Sequence, residues 1–461
     1  MAQGRYENKR RKKRSGGNGI IVLLAALLLV LAAMLFVKSC AGEDTKSTGV
    51  GTNADTTGTS SAATTETTET TGPTEPYIVS TASVGVTGDI LMHGPVIQAA
   101  ATGSGYDFND NYEYIKDYYQ QYDFMVANLE VTLGGPEAGP YKGYPTFNCP
   151  DDVIDALKNA GVDMILTANN HTYDTGSKGM MRTQQVISEK GLLHLGTRET
   201  TDVSAYTVQD INGIKVGMVC YTYETGKTSD GRKTLNGIAL SSEASALVSS
   251  FDYNDLPGFY SEVESKLQAM EAEGADATMV YIHWGNEYQL APNQTQKNIA
   301  QQLCELGVDV IVGGHPHVIQ PFDTLTSSTG SKTYCIYSVG NALSNQNRTS
   351  LAETTSNARY TEDGMIFGVA FEKWNDGTVN ISEISILPTW VNKEWKDKNV
   401  YNIIPLDTAV PVWNCYDVGN ESRTYESYAR TMSLVGEGLN ACREVLGLPT
   451  APLTFGEDNS N

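Results

Sequence analysis

Apolar residues fall into three regimes along this chain. Residues 20–37 form an unbroken run of eighteen, IIVLLAALLLVLAAMLFV, closed by Lys38. At about 1.5 Å rise per residue such a helix is roughly 27 Å long, close to the hydrocarbon thickness of a bilayer. Residues 41–76 are the opposite, dominated by Thr, Ser, Gly and Glu. A stretch of that kind buries too little apolar surface to offset its ordering entropy, so it is expected to remain disordered. From Tyr77 onward, short β-rich runs alternate with helical ones.

That alternation predicts strands at 81–87, 124–127, 164–167, 278–282 and 308–312, and helices at 151–160, 178–190, 262–273 and 294–306. Asn212-Gly213 lies between apolar runs at 206–209 and 215–221, a hairpin signal. Further strands are expected at 318–323, 333–339, 365–371 and 379–386, and a long C-terminal helix at 421–445. The sum is an α/β domain, a sandwich of mixed β-sheets flanked by helices, behind an N-terminal transmembrane helix. Five segments follow: a basic tail at 1–19, a membrane anchor at 20–38, a linker at 39–76, the folded domain at 77–390 and a C-terminal extension at 391–461.

Charge orients the plan. The first nineteen residues hold seven basic side chains against Glu7, a net of +6, so of the formal −22 the remainder carries −28. The basic cluster ahead of the apolar run places the N-terminus in the cytoplasm and the domain outside the cell membrane, as a single-pass protein. Val37-Lys38-Ser39-Cys40 also loosely resembles a lipoprotein cleavage box, which leaves a cleaved, lipid-anchored form open. An outer domain this acidic argues against nucleic acid as a partner. Among the seven cysteines no C-x-x-C spacing occurs; buried free thiols are expected, with Cys415 and Cys442 as one candidate pair.

The chemistry gathers where predicted strands stop. Asp89, Asn128, Glu130, Asn170, His171, His283, His315 and His317 all follow the end of an apolar run, and four of the chain's six histidines are among them. Loops beyond the carboxyl ends of strands in α/β sheets converge on one crevice, so these residues are expected to meet. Imidazole, carboxylate and amide donors suit Mn, Zn or Fe rather than an all-oxygen calcium cage. The donors outnumber what one tetrahedral ion needs, and two ions sharing a carboxylate would use them.

The order G-D, N-x-E, N-N-H-x-x-D, H-W-G and G-G-H-x-H resembles the CapA family of poly-γ-glutamate capsule synthesis proteins, itself similar to calcineurin-like metallophosphatases. It is carried by Gly88-Asp89, Asn128-Leu129-Glu130, Asn169 to Asp174, His283-Trp284-Gly285, Gly314 to His317 and Ser338-Val339-Gly340-Asn341. The resemblance implies that Asp89, Asn170, His283, His315 and His317 ligate metal and that Glu130 stands where phosphatases place a bridging aspartate. It also implies that His171 acts on a leaving oxygen or substrate oxyanion, with Asp174 orienting it. Two departures stand out: Leu91 occupies the position of a further phosphatase histidine, and Val131 follows Glu130 where an arginine is usual. His93, two residues past Leu91, joins Asn128 and Glu287 as a candidate substrate contact. Two functions are therefore expected as alternatives. One is a metal-dependent hydrolase acting on a phosphoester or an anionic surface polymer; the other is a non-catalytic scaffold among the subunits of a capsule-synthesis complex.

Overall fold

Strands buried on both faces read as nearly continuous apolar runs, and such strands build the centre of this protein in a computed structural model that describes residues 75–409 and 421–453. The tail, the apolar run at 20–37, the linker up to residue 74, Cys40, Cys415 and the final residues lie outside the described residues. Among those described, no helix is long and apolar enough to cross a membrane.

The chain opens with β1 (Ile78–Ile90), helices α1 (Gly94–Ala100), α2 (Asn109–Tyr112) and α3 (Lys116–Tyr119), and β2 (Phe124–Leu129). Then come α4 (Asp152–Ala160), β3 (Met164–Leu166), α5 (Gly176–Glu189) and β4 (Leu193–Leu195). Strands β1 to β4 are parallel neighbours. β5 (Thr207–Ile211) and β6 (Ile214–Tyr223) form the expected hairpin, with Ile211 opposite Ile214. β7 (Gly226–Lys227), β8 (Lys233–Leu235) and β9 (Ile238–Ala239) make a small separate sheet. After α6 (Ser242–Leu247) and β10 (Ser250–Phe251), the chain alternates α7 (Leu256–Ala272), β11 (Ala277–His283), α8 (Gln294–Glu305) and β12 (Val310–Gly314). It continues through β13 (Ile319–Thr326), β14 (Lys332–Val339), β15 (Asn341–Leu343), β16 (Asp363–Trp374), β17 (Val379–Trp395) and β18 (Asn399–Pro405), and reaches α9 (Glu421–Val445).

Two mixed sheets result. The first runs β18-β17-β16-β1-β2-β3-β4, with β15 alongside β1; the second runs β10-β6-β11-β12-β14-β13, with β5 on β6. Period-two alternation sorts their side chains. Val84, Val86, Val126 and Met164 from the first sheet meet Val216, Met218, Met279, Tyr281 and Val310 from the second in one central core. The opposite faces bury Met125, Ala127 and Leu129 with α1 to α5, and Val219, Val280 and Ile282 with α7 and α8. This is the expected α/β arrangement of sheets and helices. β17 passes through residue 390 unbroken and β18 extends the same sheet, so 391–405 belong to it. Cys442 on α9 is buried and free, like Cys149, Cys220, Cys304 and Cys335.

Close backbone approaches fix the sheet ends where the chemistry lies. A Cβ on Gly88 would sit 2.1 Å from the Gly340 carbonyl oxygen, so only glycine lets β1 run this close to the turn before β15. Asp89 N then donates to that carbonyl at 3.0 Å.

Candidate metal centre

Each ligand candidate leaves the end of a parallel strand. Asp89 is the penultimate residue of β1, Glu130 directly follows β2, His283 ends β11, and His315 and His317 follow β12. All five are essentially buried, Glu130 and Asp89 at 0% exposure. They form two triads, Glu130 with His283 and His315, and Asp89 with Glu130 and His317, the ligand atoms within each lying within 4.8 Å of one another. Glu130 belongs to both.

The contacts show how tightly the groups are drawn together. His283 Nε2 lies 3.4 Å from Glu130 Oε1 and donates to Asn170 Oδ1 at 2.8 Å. His317 Nδ1 lies 3.4 Å from Asp89 Oδ2 and 3.9 Å from Glu130 Oε2. Asp89 Oδ1 accepts from Asn128 Nδ2 at 2.7 Å, and its Oδ2 accepts from the His315 backbone N–H at 3.1 Å. His317 Nδ1 also lies 3.2 Å from Asn341 Oδ1, and Tyr223 Oη 3.2 Å from His315 Nε2.

The backbone is bent to aim these rings. His315 and His317 both occupy the left-handed region, with φ of 95° and 57°, which costs non-glycine residues about 1–3 kcal/mol each. A fold retains such strain only where surrounding contacts over-determine it. Between the sheets Gly314 leaves just enough room: a Cβ there would lie 3.0 Å from Asp89 Oδ1 and 3.4 Å from His283 Nδ1.

Electrostatics favour a cation. Burial pushes Asp89 upward, but the hydrogen bond from His317 and the charges of His283 and His317 outweigh it, leaving its carboxyl below the ordinary value. Burial alone would lower His317, yet the charges of Glu130 and Asp89 raise it to about 9. His315, buried beside two other imidazoles, is held well below its ordinary value and stays neutral. Most telling, neither Glu130 oxygen nor His315 Nδ1 has a hydrogen-bond partner. A buried carboxylate with no hydrogen bond at either oxygen is costly unless positive charge nearby completes it. The donor set present fits a divalent metal.

The remaining candidates surround this centre. His171 Nδ1–H donates to Asp174 Oδ2 at 2.8 Å, and the same oxygen accepts from Phe147 N at 2.6 Å. This fixes the tautomer and leaves Nε2 as the acceptor side of the ring. His93 is separated from His171 by Phe147, whose ring meets both edge-on at centroid distances of 5.4 and 4.7 Å. Burial lowers His93 to about 4, and its Nδ1 faces Leu91 O and Asn345 N. Leu91 itself sits in the apolar layer under the helices. Glu287 is exposed at the rim, where its charge acts on Tyr223, Tyr288 and His317.

The family described as bacterial capsule synthesis protein PGA_cap matches residues 83–346, more than half of the chain and all of the strand-end motifs. The chain belongs to that family. Its capsule-synthesis relatives include capsule biosynthesis protein CapA of Bacillus anthracis, 27% identical over 57% of this chain and 59% of that protein. PGA biosynthesis protein CapA of Bacillus subtilis strain 168 is 24% identical over 59% of this chain and 65% of its own length. The match therefore spans about three fifths of each curated relative. A solved structure, sulfate thiohydrolase SoxB of Thermus thermophilus in complex with glycerol, superposes with a TM-score of 0.31 at 16% identity, over 57% of this chain and 38% of that one. A likeness that slight carries no inference.

Within this PGA_cap member, the structure adds residues that the sequence pattern did not single out. Tyr223 is the last residue of a buried strand and reads there as core. Asn341 lies within a family-like stretch, but only the pairing of β15 with β1, which sets it opposite Asp89, reveals its nearness to the ligands. Asn236, at the tip of the β8–β9 hairpin, meets both Asn170 and His171.

Proposed function

We propose that this chain is a membrane-anchored, extracytoplasmic component of capsule or poly-γ-glutamate synthesis or export, and that its centre is a metal-dependent hydrolase site at which Asp89, Glu130, His283, His315 and His317 would hold two divalent ions. The observation that carries the reading is the Glu130 carboxylate, fully buried, without a hydrogen bond at either oxygen and common to two ligand triads. Mn, Zn or Fe suit the mixed donors. When bound, such ions supply Lewis-acid polarisation of an ester or acyl oxygen and lower the pKa of a nearby water.

The chain's own residues then divide the work. Asp89, His317 and Glu130 would hold one ion, and Glu130, His283 and His315 the other, with Asn170 beside His283. His171, held by Asp174 through Nδ1, has Nε2 free to take up a proton, and only the ring so protonated can give one to a leaving oxygen or contact an oxyanion. Asn128 steadies Asp89. Tyr288 lies beside His317 with ring centroids 6.1 Å apart, Glu287 acts on that ring through its charge, and Phe147 packs edge-on against both His93 and His171. The substrate class is a phosphoester or an anionic surface polymer, and other capsule-synthesis subunits are the expected partners.

The test uses the full chain purified in detergent. Elemental analysis is expected to give about two Mn or Zn per chain, and bis-p-nitrophenyl phosphate is expected to turn over, stop with chelator and recover on re-addition. Substoichiometric metal together with no turnover would defeat the hydrolase reading. Full metal occupancy without turnover on ester or polymer substrates would favour a scaffold role in surface-polymer assembly instead.

A further inference from the structure

The small sheet β7–β9 is an excursion between β6 and α6 that none of the strand-end motifs requires. Its outer hairpin closes through the two-residue turn Asn236-Gly237, with φ of 47° and 74°, the turn chemistry that Asn-Gly supplies. Behind the turn Leu235 is fully buried, packed with Tyr173, Met180, Leu240, Ala244 and Val248. Gly237 N donates to Thr225 Oγ1 at 3.0 Å and Thr225 N to Thr234 O at 2.9 Å, tying the hairpin to the end of β6. Asn236 itself is exposed. The hairpin is thus anchored from behind and presents one polar side chain over the metal centre.

That side chain makes two sets of contacts. Asn236 Oδ1 accepts from Asn170 Nδ2 at 3.1 Å, and Asn236 Nδ2 lies 3.3 Å from each nitrogen of His171. An amide has one end with lone pairs and one without. Holding the Asn170 NH2 outward forces its oxygen inward, where it meets His283 Nε2 at 2.8 Å. Without an acceptor at the hairpin tip, only the His283 contact is left to distinguish the two ends of the Asn170 amide, and a ring nitrogen that ligates an ion no longer has a proton to donate to it. The flipped form would face the ion with N–H groups, which cannot ligate.

We propose, resting on the metal site argued above, that Asn236 is a positioning residue. It locks the Asn170 amide with its oxygen toward the ion, and its hairpin forms the wall over His171. Groups that orient metal ligands are commonly worth 10–100-fold in metal affinity.

Two substitutions separate this role from a structural one. Asn236→Gly removes the side chain and accepts the left-handed backbone that alanine would resist. Asn236→Asp keeps an acceptor for Asn170 and also tolerates that backbone. In the full-length protein, Mn2+ affinity by calorimetry is expected to fall roughly 10–100-fold in Asn236→Gly. The visible spectrum of the Co2+-loaded protein is expected to change, while the melting temperature without metal stays at the wild-type value. Asn236→Asp is expected to recover most of the affinity and the wild-type Co2+ spectrum. Wild-type affinity in Asn236→Gly would overturn the inference. So would equal losses in both variants, because the acceptor would then be irrelevant. Wild-type protein that takes up neither Mn2+ nor Co2+ would overturn the metal site itself, and this role with it.

Discussion

Replacing Gly314 with alanine changes one hydrogen to a methyl group on the chain that carries His315 and His317. Gly314 needs no special φ, so the backbone tolerates alanine and the whole effect lies in where the Cβ goes. It would arrive 3.0 Å from Asp89 Oδ1 and 3.4 Å from His283 Nδ1. Relieving the closer contact takes a shift of about 0.4 Å, whereas metal–ligand distances tolerate about 0.2 Å. Neither ligand can retreat freely, since Asp89 is held by Asn128 and the His315 N–H, and His283 by Asn170. A loss of roughly 30-fold in metal affinity is therefore expected, within the range for misplaced ligands.

Thermal melts read this directly. At a free Mn2+ concentration of 100 times the wild-type Kd, the metal stabilises wild type by about 2.7 kcal/mol. A 30-fold weaker site would gain only about 0.9 kcal/mol under the same conditions. For a unit of this size the conversion is roughly 1 °C per kcal/mol. Wild type should thus rise by about 3 °C on adding Mn2+ and Gly314→Ala by about 1 °C. Without metal the variant should lose no more than about 1–3 kcal/mol to overpacking. An equal Mn2+ shift in both proteins would refute the claim that Asp89 and His283, on either side of Gly314, are metal ligands.

Three other outcomes are expected. Glu130→Gln keeps the side-chain length but removes the bridging charge, so elemental analysis should find at most about one ion per chain; two would defeat the shared-carboxylate arrangement. Asp174→Asn should leave metal content intact while lowering kcat on a phosphodiester by about 10²–10⁴, because His171 loses the partner that sets its tautomer. Unchanged kcat would remove His171 from proton transfer. Arg430→Ala strands the Asp363 carboxylate, whose oxygens accept from Arg430 at 2.6 and 2.7 Å within a buried pair. Urea unfolding should then show a loss of about 3–5 kcal/mol, and a loss below 1 kcal/mol would refute it.

How much of this was legible depended on whether one side chain or two chain segments carried the signal. β2 and β11 are apolar on both faces and end in polar residues, so pattern alone locates them and the residues that follow. Helix α9 is long enough for its period to show, and its expected range of 421–445 is the one found. Helices α1 to α3 are short, α2 and α3 also rich in tyrosine and polar residues, and all have too few turns to reveal a period. β18 is recognisable only through its pairing with β17, a contact between distant strands. The same limit governs the site. Asp89, Glu130 and His283 announce themselves at strand ends, whereas Asn236 matters because a hairpin folds back 66 residues from Asn170. Its Asn-Gly turn carries the same signal that gave away Asn212-Gly213. What the turn reaches is a tertiary fact.

The ligands come from opposite layers of the sandwich. Asp89 and Glu130 belong to the first sheet, and His283, His315 and His317 to the second; each triad draws from both. Each triad is completed only across the two sheets, so its donors converge only after the two have packed through the central core. Binding is then linked to that packing, and the stabilisation it brings bears on the junction between the sheets. The strain at His315 and His317 fits the same logic. Their rings must cross from the end of β12 to carboxylates of the other sheet, and an ordinary strand end would carry them past. A second sheet that packed without bending its backbone would be easier to fold, but it would leave Glu130 buried with nothing to meet.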